Sequence, residues 1–150
     1  MSTPPPEFAL ERIYVKDLSF ESPRAPEVFR DPWQPQIQLE INTRAGALGD
    51  ERFEVVLTLT VNAKSEAGQT QMIVEVQQAG VFRIRGMDED RRRRLLATQC
   101  PAILFPYGRE AIDGLVVKGG FPPLMLAPVN FDAMLDEAIK RGQIPAQVQH

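Results

Sequence analysis

The sequence predicts an α+β fold: a four-stranded antiparallel sheet with one face covered by a long, proline-broken helix and a short C-terminal helix. Two observations support this class. Apolar and polar residues alternate along the first half of the chain, which is typical of strands with one buried face. After Gly86 the apolar spacing becomes helical. A chain of 150 residues with 43% hydrophobic residues is long enough for one domain over residues 1–150.

The first predicted strand covers residues 11–21, ERIYVKDLSFE, and its pattern is irregular. One parity holds Ile13 and Val15 together with Asp17, Ser19 and Glu21, and the other holds Tyr14, Leu18 and Phe20. We therefore expect a long strand with a carboxylate-bearing face. The next stretch, residues 22–35, contains four prolines and is predicted to be a structured loop, because proline removes a donor from a strand ladder.

Three further strands have strict alternation. Their apolar positions are Ile37, Leu39 and Ile41; Phe53, Val55, Leu57, Leu59 and Val61; and Met72, Val74 and Val76. The connections TRAGALGD and KSEAGQ are short and contain glycine, which predicts an antiparallel meander.

The helical region begins with acidic residues 88–90, which suit the positive end of a helix dipole, followed by four arginines at 91–94. Pro101 and Pro106 predict that the long helix kinks or breaks. Asn130 is expected to cap a short final helix. Residues 1–7 and 142–150 are predicted to be flexible tails.

Composition argues for a binding protein instead of an enzyme. The single histidine is the terminal residue, His150, and the single cysteine, Cys100, precedes a proline among apolar neighbours. The sequence therefore assembles neither a histidine base for neutral pH nor a thiol nucleophile with its base. A net charge of −3 argues against a general nucleic-acid or membrane binder, and we interpret the arginine run as a solvated, partly ion-paired helix surface. One cysteine, no membrane-spanning stretch and no secretory signal indicate the cytoplasm. No metal or cofactor is expected.

Two groups of residues are candidate sites. The carboxylates Asp17, Glu21 and Glu75 form a solvated sheet face, a protein-docking patch or, as a third alternative, a general acid and base. The aromatics belong either to the core or to a surface groove for apolar side chains, because they lie on proline-interrupted segments. These aromatics are Trp33, Phe105, Tyr107, Phe121 and Phe131.

Five collinear segments between residues 12 and 135 resemble the SecB family of protein-export chaperones. They are RIYVKDLSFESP, DPWQP, EVQQAGVF, CPAILFPYGRE and GGFPPLMLAPVNFDA. The resemblance implies the sheet and helices predicted above, assembled as a homotetramer, a dimer of dimers. It also implies an ATP-independent chaperone that binds unfolded precursor proteins in the cytosol, keeps them translocation-competent and delivers them to the SecA ATPase.

The resemblance also implies site residues. Asp17, Glu21, Ile73 and Glu75 correspond to the SecA-docking face, and Val74, Val76 and Gln78 to positions that influence tetramer formation. The aromatic residues named above correspond to the client groove. The chain departs from the family in its basic helix start and in a C-terminus, KRGQIPAQVQH, without an acidic tail. SecB-like chaperones that control toxin–antitoxin systems share the fold and are the alternative function.

Overall fold

The computed structural model describes residues 4–143, and its order of elements confirms the predicted fold class. The strands are β1 (Glu7–Glu21), β2 (Gln36–Gly49), β3 (Arg52–Lys64) and β4 (Thr70–Arg85). The helices are α1 (Glu89–Ala97), α2 (Gln99–Lys118) and α3 (Phe131–Lys140), and a short 3-10 helix covers Glu27–Arg30. All strand pairs are antiparallel in the order β1-β4-β3-β2.

The strands β2, β3 and β4 form the predicted meander, but β1 pairs with β4 and not with its sequence neighbour β2. The proline-rich loop between β1 and β2 therefore connects the two edge strands of the sheet. Within residues 4–143, each edge strand leaves one row of backbone groups without a partner strand.

Two irregularities in β1 correct the parity read from the sequence. The register of β1 on β4 shifts between Leu10 and Arg12 and again between Val15 and Asp17. An extra residue in one strand reverses the phase of every residue after it. Ile13 and Val15 therefore share the helix-covered face with Leu18 and Phe20, whereas Tyr14 shares the open face with Asp17, Ser19 and Glu21.

The core lies between the sheet and α2. Alternate residues of β3 and β4 are fully buried there, and Leu104, Ile112 and Val116 of α2 pack on them. The helix and the sheet are in close contact at two glycines. A Cβ on Gly80 would lie 3.1 Å from a methyl carbon of Leu104, and a Cβ on Gly108 would lie 2.9 Å from a methyl carbon of Leu59. Two glycines thus let the helix approach the sheet.

The helical region breaks at Thr98, three residues before the first proline. Pro101 lies in the first turn of α2, where a backbone N–H has no partner within the helix, so proline is tolerated there. Pro106 lies inside α2 on its exposed side, and the helix continues past it as a bent helix. Asn130 Oδ1 accepts from Ala133 N at 2.9 Å, which confirms the predicted cap of α3.

The predicted N-terminal tail is wrong at its last residue. Glu7 is the first residue of β1, paired with Arg85, and its carboxylate lies 3.2 Å from Arg83 Nε and 3.1 Å from Arg85 Nη2. The described part of the predicted C-terminal tail follows α3 without regular structure, and the remaining residues of both predicted tails, 1–3 and 144–150, lie outside the described residues.

Candidate functional site

The face of the sheet turned away from the helices is an open surface with two halves of different charge. We call one the acidic half. Cross-strand register defines three rows in it: Asp17, Gln77, Thr58 and Asn42; Ser19, Glu75, Thr60 and Glu40; and Glu21, Ile73, Asn62 and Gln38. The structure thus brings the four predicted docking residues of β1 and β4 to one patch.

The acidic half carries four carboxylates and no basic side chain. Within residues 4–143, Asp17, Glu21, Glu40 and Glu75 make no ion pair, so their charges are not compensated locally. Glu40 was missed by the sequence analysis. Its polar position on β2 was visible in the alternation, but only the strand order shows that it shares a row with Glu75.

The other half of the open face is basic, and we call it the basic half. Its charged residues are Arg12, Lys16, Arg44, Arg52, Arg83 and Arg85 with Glu7, Glu11 and Glu54. Both extra residues of β1 belong to it, because Glu11 lies 2.6 Å from Arg52 Nε and Lys16 Nζ lies 2.9 Å from Glu54. The bulges therefore place two additional charges on this face.

Tyr14, Lys16 and Glu54 form a hydrogen-bonded group on the open face. The Tyr14 hydroxyl donates to Glu54 Oε2, and Lys16 donates to both oxygens of the same carboxylate. Burial and the bond to Glu54 raise the pKa of Tyr14 to about 12. The bonds from Tyr14 and Lys16 lower the pKa of Glu54 below its ordinary value. This group ties β1 to β3 across the intervening β4.

The residues predicted to influence oligomer formation face the core. Val74 and Val76 are 0% exposed and Gln78 is 3% exposed within one chain, and a Cβ on Gly108 of α2 would lie 3.5 Å from Gln78 Cβ. A second copy has no access to these side chains. Their role in assembly stays a prediction, and any such role acts through the position of α2.

Trp33 and Phe121 belong to an aromatic cluster that the structure extends by two members, and we call these four rings the loop cluster. The ring of Phe121 lies 5.1 Å from Trp33, 5.4 Å from Phe29 and 6.4 Å from Phe20. Phe121 is buried, Trp33 is half-buried, and Phe29 is 51% exposed.

Two consecutive glycines allow the loop cluster to form. A Cβ on Gly119 would lie 2.2 Å from Phe20 Cζ, and one on Gly120 2.9 Å from Phe29 Cε1, so only glycine admits both rings against this backbone. Gly120 also has a φ of +92°, which disfavours other residues. The GG pair after α2 was the available sequence signal for Phe20 and Phe29.

The other predicted aromatics are separate from the loop cluster. Phe105 and Phe131 are both buried, with an edge-on contact at 6.2 Å. An open cavity of about 220 Å³ lies beside Phe131, lined also by Ile41, Ala97 and Met134. Tyr107 is 50% exposed on the outer side of α2. The predicted groove therefore divides into two regions, and Tyr107 joins neither.

A polar clamp holds the apolar loop between α2 and α3. Asp113 accepts from Leu124 N at 2.9 Å and also from Met125 N, and Arg109 donates to the carbonyl oxygen of Leu126 at 3.4 Å. Met125 has a φ of +53°, and its side chain is 76% exposed. Two charged residues of α2 thus fix a loop whose apolar side chain points into solvent.

The arginine run is ion-paired, as the sequence analysis expected. Arg93 lies 3.1 Å from Glu89, and Arg92 lies over the ring of Phe53 at 5.5 Å. Arg94 contacts Asp132 at 3.3 Å and Asp136 at 3.1 Å, which ties α1 to α3.

Cys100 is fully buried, and burial raises the pKa of its thiol to about 12, so it is a core residue.

Asp17, Glu21 and Glu75 do not form the inward-facing pair that a carboxylate-dependent enzyme would need, because all three lie on the open face. Within residues 4–143, no three His, Cys, Asp or Glu side chains are grouped as metal ligands. Over the same residues, no helix has the length and apolar character required to cross a bilayer.

Comparison with known proteins assigns the class and then the family. The family model described as preprotein translocase subunit SecB matches residues 2–142, and this family is a class of chaperone. Protein-export protein SecB of Marinobacter nauticus is 56% identical over 138 residues, covering 92% of this chain and 83% of the relative. That of Azotobacter vinelandii is 52% identical over 142 residues, covering 94% and 86%.

The chain belongs to the SecB family and has a chaperone role in protein export. A solved structure supports the fold: a SecB-like chaperone of Mycobacterium tuberculosis, in complex with a ChAD peptide from the HigA1 antitoxin, has a TM-score of 0.69. It is 21% identical and covers 82% of this chain and 91% of the solved chain.

Proposed function

We propose that this chain binds unfolded precursor proteins in the cytoplasm, without ATP, and delivers them to the SecA ATPase as a homotetramer. The observation that carries the proposal is the acidic half of the open face. Four carboxylates that make no ion pair within residues 4–143 lie on one face of the sheet, which suits a basic docking element of a partner. Curated relatives named as protein-export proteins support the same assignment.

Client binding is assigned to the loop cluster and to the cavity beside Phe131. Phe29 and Trp33 expose aromatic surface on a loop whose backbone is fixed by packing, and Phe121 supports them from below. Transfer of apolar area from water contributes about 25 cal/mol per Å², so a segment that buries a few hundred Å² gains several kcal/mol before entropy costs. Several such sites in an oligomer raise the affinity for one long client.

Tetramer formation is assigned to apolar surface that one chain leaves uncovered. Leu10, Val15 and Leu18 lie on the helix-covered face of β1 but are exposed, because α2 packs mainly on β3 and β4. Tyr107 and Val117 are exposed on the outer side of α2. A second copy at the β1 edge would cover the first group, and helix packing would cover the second.

The docking assignment is tested by reversing charge on the acidic half. We expect the double variant Asp17→Lys/Glu75→Lys to lose SecA binding in calorimetry while it still binds a reduced, unfolded precursor. The matched control is Glu66→Lys/Glu137→Lys, which makes the same change of net charge away from the face and is expected to retain SecA binding. If control and test variants lose SecA binding equally, the acidic half is not the docking surface.

The client assignment is tested with the only tryptophan of the chain, Trp33. Its fluorescence should change when an unfolded precursor is added, because the client would replace water around a half-buried indole. An unchanged spectrum with a precursor that binds by an independent assay would remove Trp33 from the client site. Recovery of an antitoxin, and not of precursors, from cytosol would favour the toxin–antitoxin alternative.

The assembly assignment is tested by sedimentation. We expect Tyr107→Asp/Val117→Asp to reduce the tetramer to a smaller species, since charge on the outer side of α2 opposes apolar packing between copies. A variant that sediments as the parent would refute this surface. Val76→Ala tests whether this buried residue affects assembly through the position of α2, because the substitution changes only the core beneath that helix.

A further inference from the structure

The basic half of the open face lies outside every surface assigned above, and its composition is set by the register of the strands. Six basic side chains lie with three carboxylates on neighbouring strands, which is a net charge of +3 in a chain whose net charge is −3. The structure therefore gathers positive charge on one half of one face.

The carboxylates of this half do not neutralise it. Arg83 and Arg85 share the single carboxylate of Glu7, at 3.2 Å and 3.1 Å. The Arg83 contact has no hydrogen-bond geometry, so Arg83 Nε is buried without a hydrogen-bond partner, as is Arg85 Nε. One carboxylate thus faces two guanidinium groups, which leaves one positive charge in excess at this place.

Two further arginines of the basic half make no ion pair within the described residues. Arg12 and Arg44 are exposed, and each side chain has no carboxylate within 4.0 Å. Arg44 is nevertheless close enough to Glu54 to act on it electrostatically. Between them lie Val56 of β3 and Ala79 of β4, which are buried beneath the neighbouring side chains.

The dimensions of the basic half suit an extended peptide. It covers about seven residues along β4, or about 23 Å at 3.3 Å per residue, and four strands at about 4.8 Å spacing. A nucleic-acid duplex would extend over the neighbouring acidic half, where four uncompensated carboxylates repel phosphate. A peptide of about seven extended residues fits on the basic half alone.

We propose that the basic half is a second docking surface, which binds a short acidic segment of a polypeptide. Arg12 and Arg44 contribute exposed guanidinium groups to the acidic side chains, and Arg83 and Arg85 contribute the positive charge that Glu7 leaves in excess. This surface is separate from the acidic half and from the aromatic client sites. A partner with one basic and one acidic segment would bind across both halves in one orientation.

The test uses the full chain and a fluorescein-labelled seven-residue peptide of alternating glutamate and serine, followed by anisotropy at about 50 mM salt. We expect saturable binding that weakens as salt rises, because exposed charges are screened within about 10 Å at 0.1 M. The double variant Arg12→Gln/Arg44→Gln should weaken binding about tenfold, an effect typical of losing two charge contacts. The control Arg30→Gln/Lys140→Gln removes two exposed charges elsewhere and should change binding less than about twofold.

Three outcomes would overturn the proposal. Equal weakening by test and control variants would show that only net charge matters. Equal binding of a lysine–serine peptide would show that the face does not select acidic segments. Tighter binding of a ten-nucleotide thymidine oligomer, weakened by the same variants, would identify a nucleic-acid surface instead. A circular-dichroism melt checks folding, and the single variant Arg44→Gln should reproduce part of the loss. Binding of SecA to Arg12→Gln/Arg44→Gln tests the proposed function of the acidic half separately from peptide binding to the basic half.

Discussion

The two faces of the sheet carry different kinds of residue and serve different purposes. On the helix-covered face, alternate residues of β3 and β4 from Val55 to Ile84 are almost all fully buried, and Gln78 is the polar exception. On the open face, the same two strands present half-buried polar residues, and charges separate into an acidic half and a basic half. One face holds the fold together, and the other is open and carries the proposed docking residues.

Substitutions on the two faces should have different effects. Loss of a buried methyl group removes favourable transfer energy and leaves a cavity, whereas loss of an exposed charge removes a contact that water already weakens. We therefore expect substitutions on the helix-covered face to change stability and substitutions on the open face to change recognition. Tyr14 is the exception, because it lies on the open face and is expected to contribute to stability. Four predictions follow this division, from the largest expected effect on stability to the smallest.

Leu59→Ala should have the largest effect, a loss of about 2–5 kcal/mol in the free energy of unfolding. Leu59 is fully buried where Gly108 brings α2 against the sheet, so the cavity has little room to collapse. Denaturant unfolding measures the loss. Its control is Thr60→Ala, one residue along on the open face, which should cost less than about 1 kcal/mol. Equal costs would mean that the two faces are not energetically distinct.

Tyr14→Phe should be the exception on the open face, with a loss of about 1–2 kcal/mol, because a half-buried carboxylate loses a charge-assisted hydrogen bond. The fold favours the neutral phenol, whose pKa rises from 10.0 to about 12. This contribution is therefore complete below pH 10 and is lost as pH rises to about 12.

Two measurements check this prediction. Absorbance at 295 nm should lose its component near pH 12 in Tyr14→Phe and keep it in Tyr107→Phe. The stability difference between parent and Tyr14→Phe should decrease above pH 10. A difference that is constant to pH 12 would contradict the coupling of Tyr14 to Glu54.

Arg94→Gln should cost about 0.2–1 kcal/mol, because its ion pairs with Asp132 and Asp136 join α1 to α3 at the surface. A double-mutant cycle with Asp136→Asn isolates the coupling between these two side chains. We expect this coupling energy to disappear at 1 M salt, where screening acts within about 3 Å. A coupling that persists at high salt would show that the contact depends on packing and not on charge.

Asp17→Asn/Glu75→Gln should have the smallest effect on stability, less than about 0.5 kcal/mol, and in the stabilising direction if any. These carboxylates have no ion pair to lose, and neutral side chains remove repulsion between like charges on adjacent strands. Thermal unfolding at low salt checks this. A large loss would mean that the acidic half contributes to the fold as well as to binding.

Much of the fold was predictable because it depends on local pattern. The alternation along β3 and β4 identified the buried face, whereas on β2 Leu39 and Ile41 are half-buried and Ile37 is exposed. Asn130 marked the start of α3. The phase of β1 was not predictable, since the sequence does not show where a strand bulges. The extra residues Glu11 and Lys16 are identified only by pairing with β4.

The candidate site was predicted in part. Asp17, Glu21, Ile73 and Glu75 were assigned together and do lie together, but Glu40 joins them only because β2 is the far edge of the same sheet. Phe29 was not chosen as a site residue, since its neighbour Phe121 is distant in sequence.

The residue types alone show which residues of β3 and β4 are buried, because burial in a sheet follows a period of two. The sequence also determined the family, through motifs spread over most of the chain. Only the tertiary structure decided the order β1-β4-β3-β2, and with it the division of the open face into an acidic and a basic half. Charged residues form a patch only where they lie close together in space. Strand order and bulges set that distance, whatever the separation of the residues along the chain.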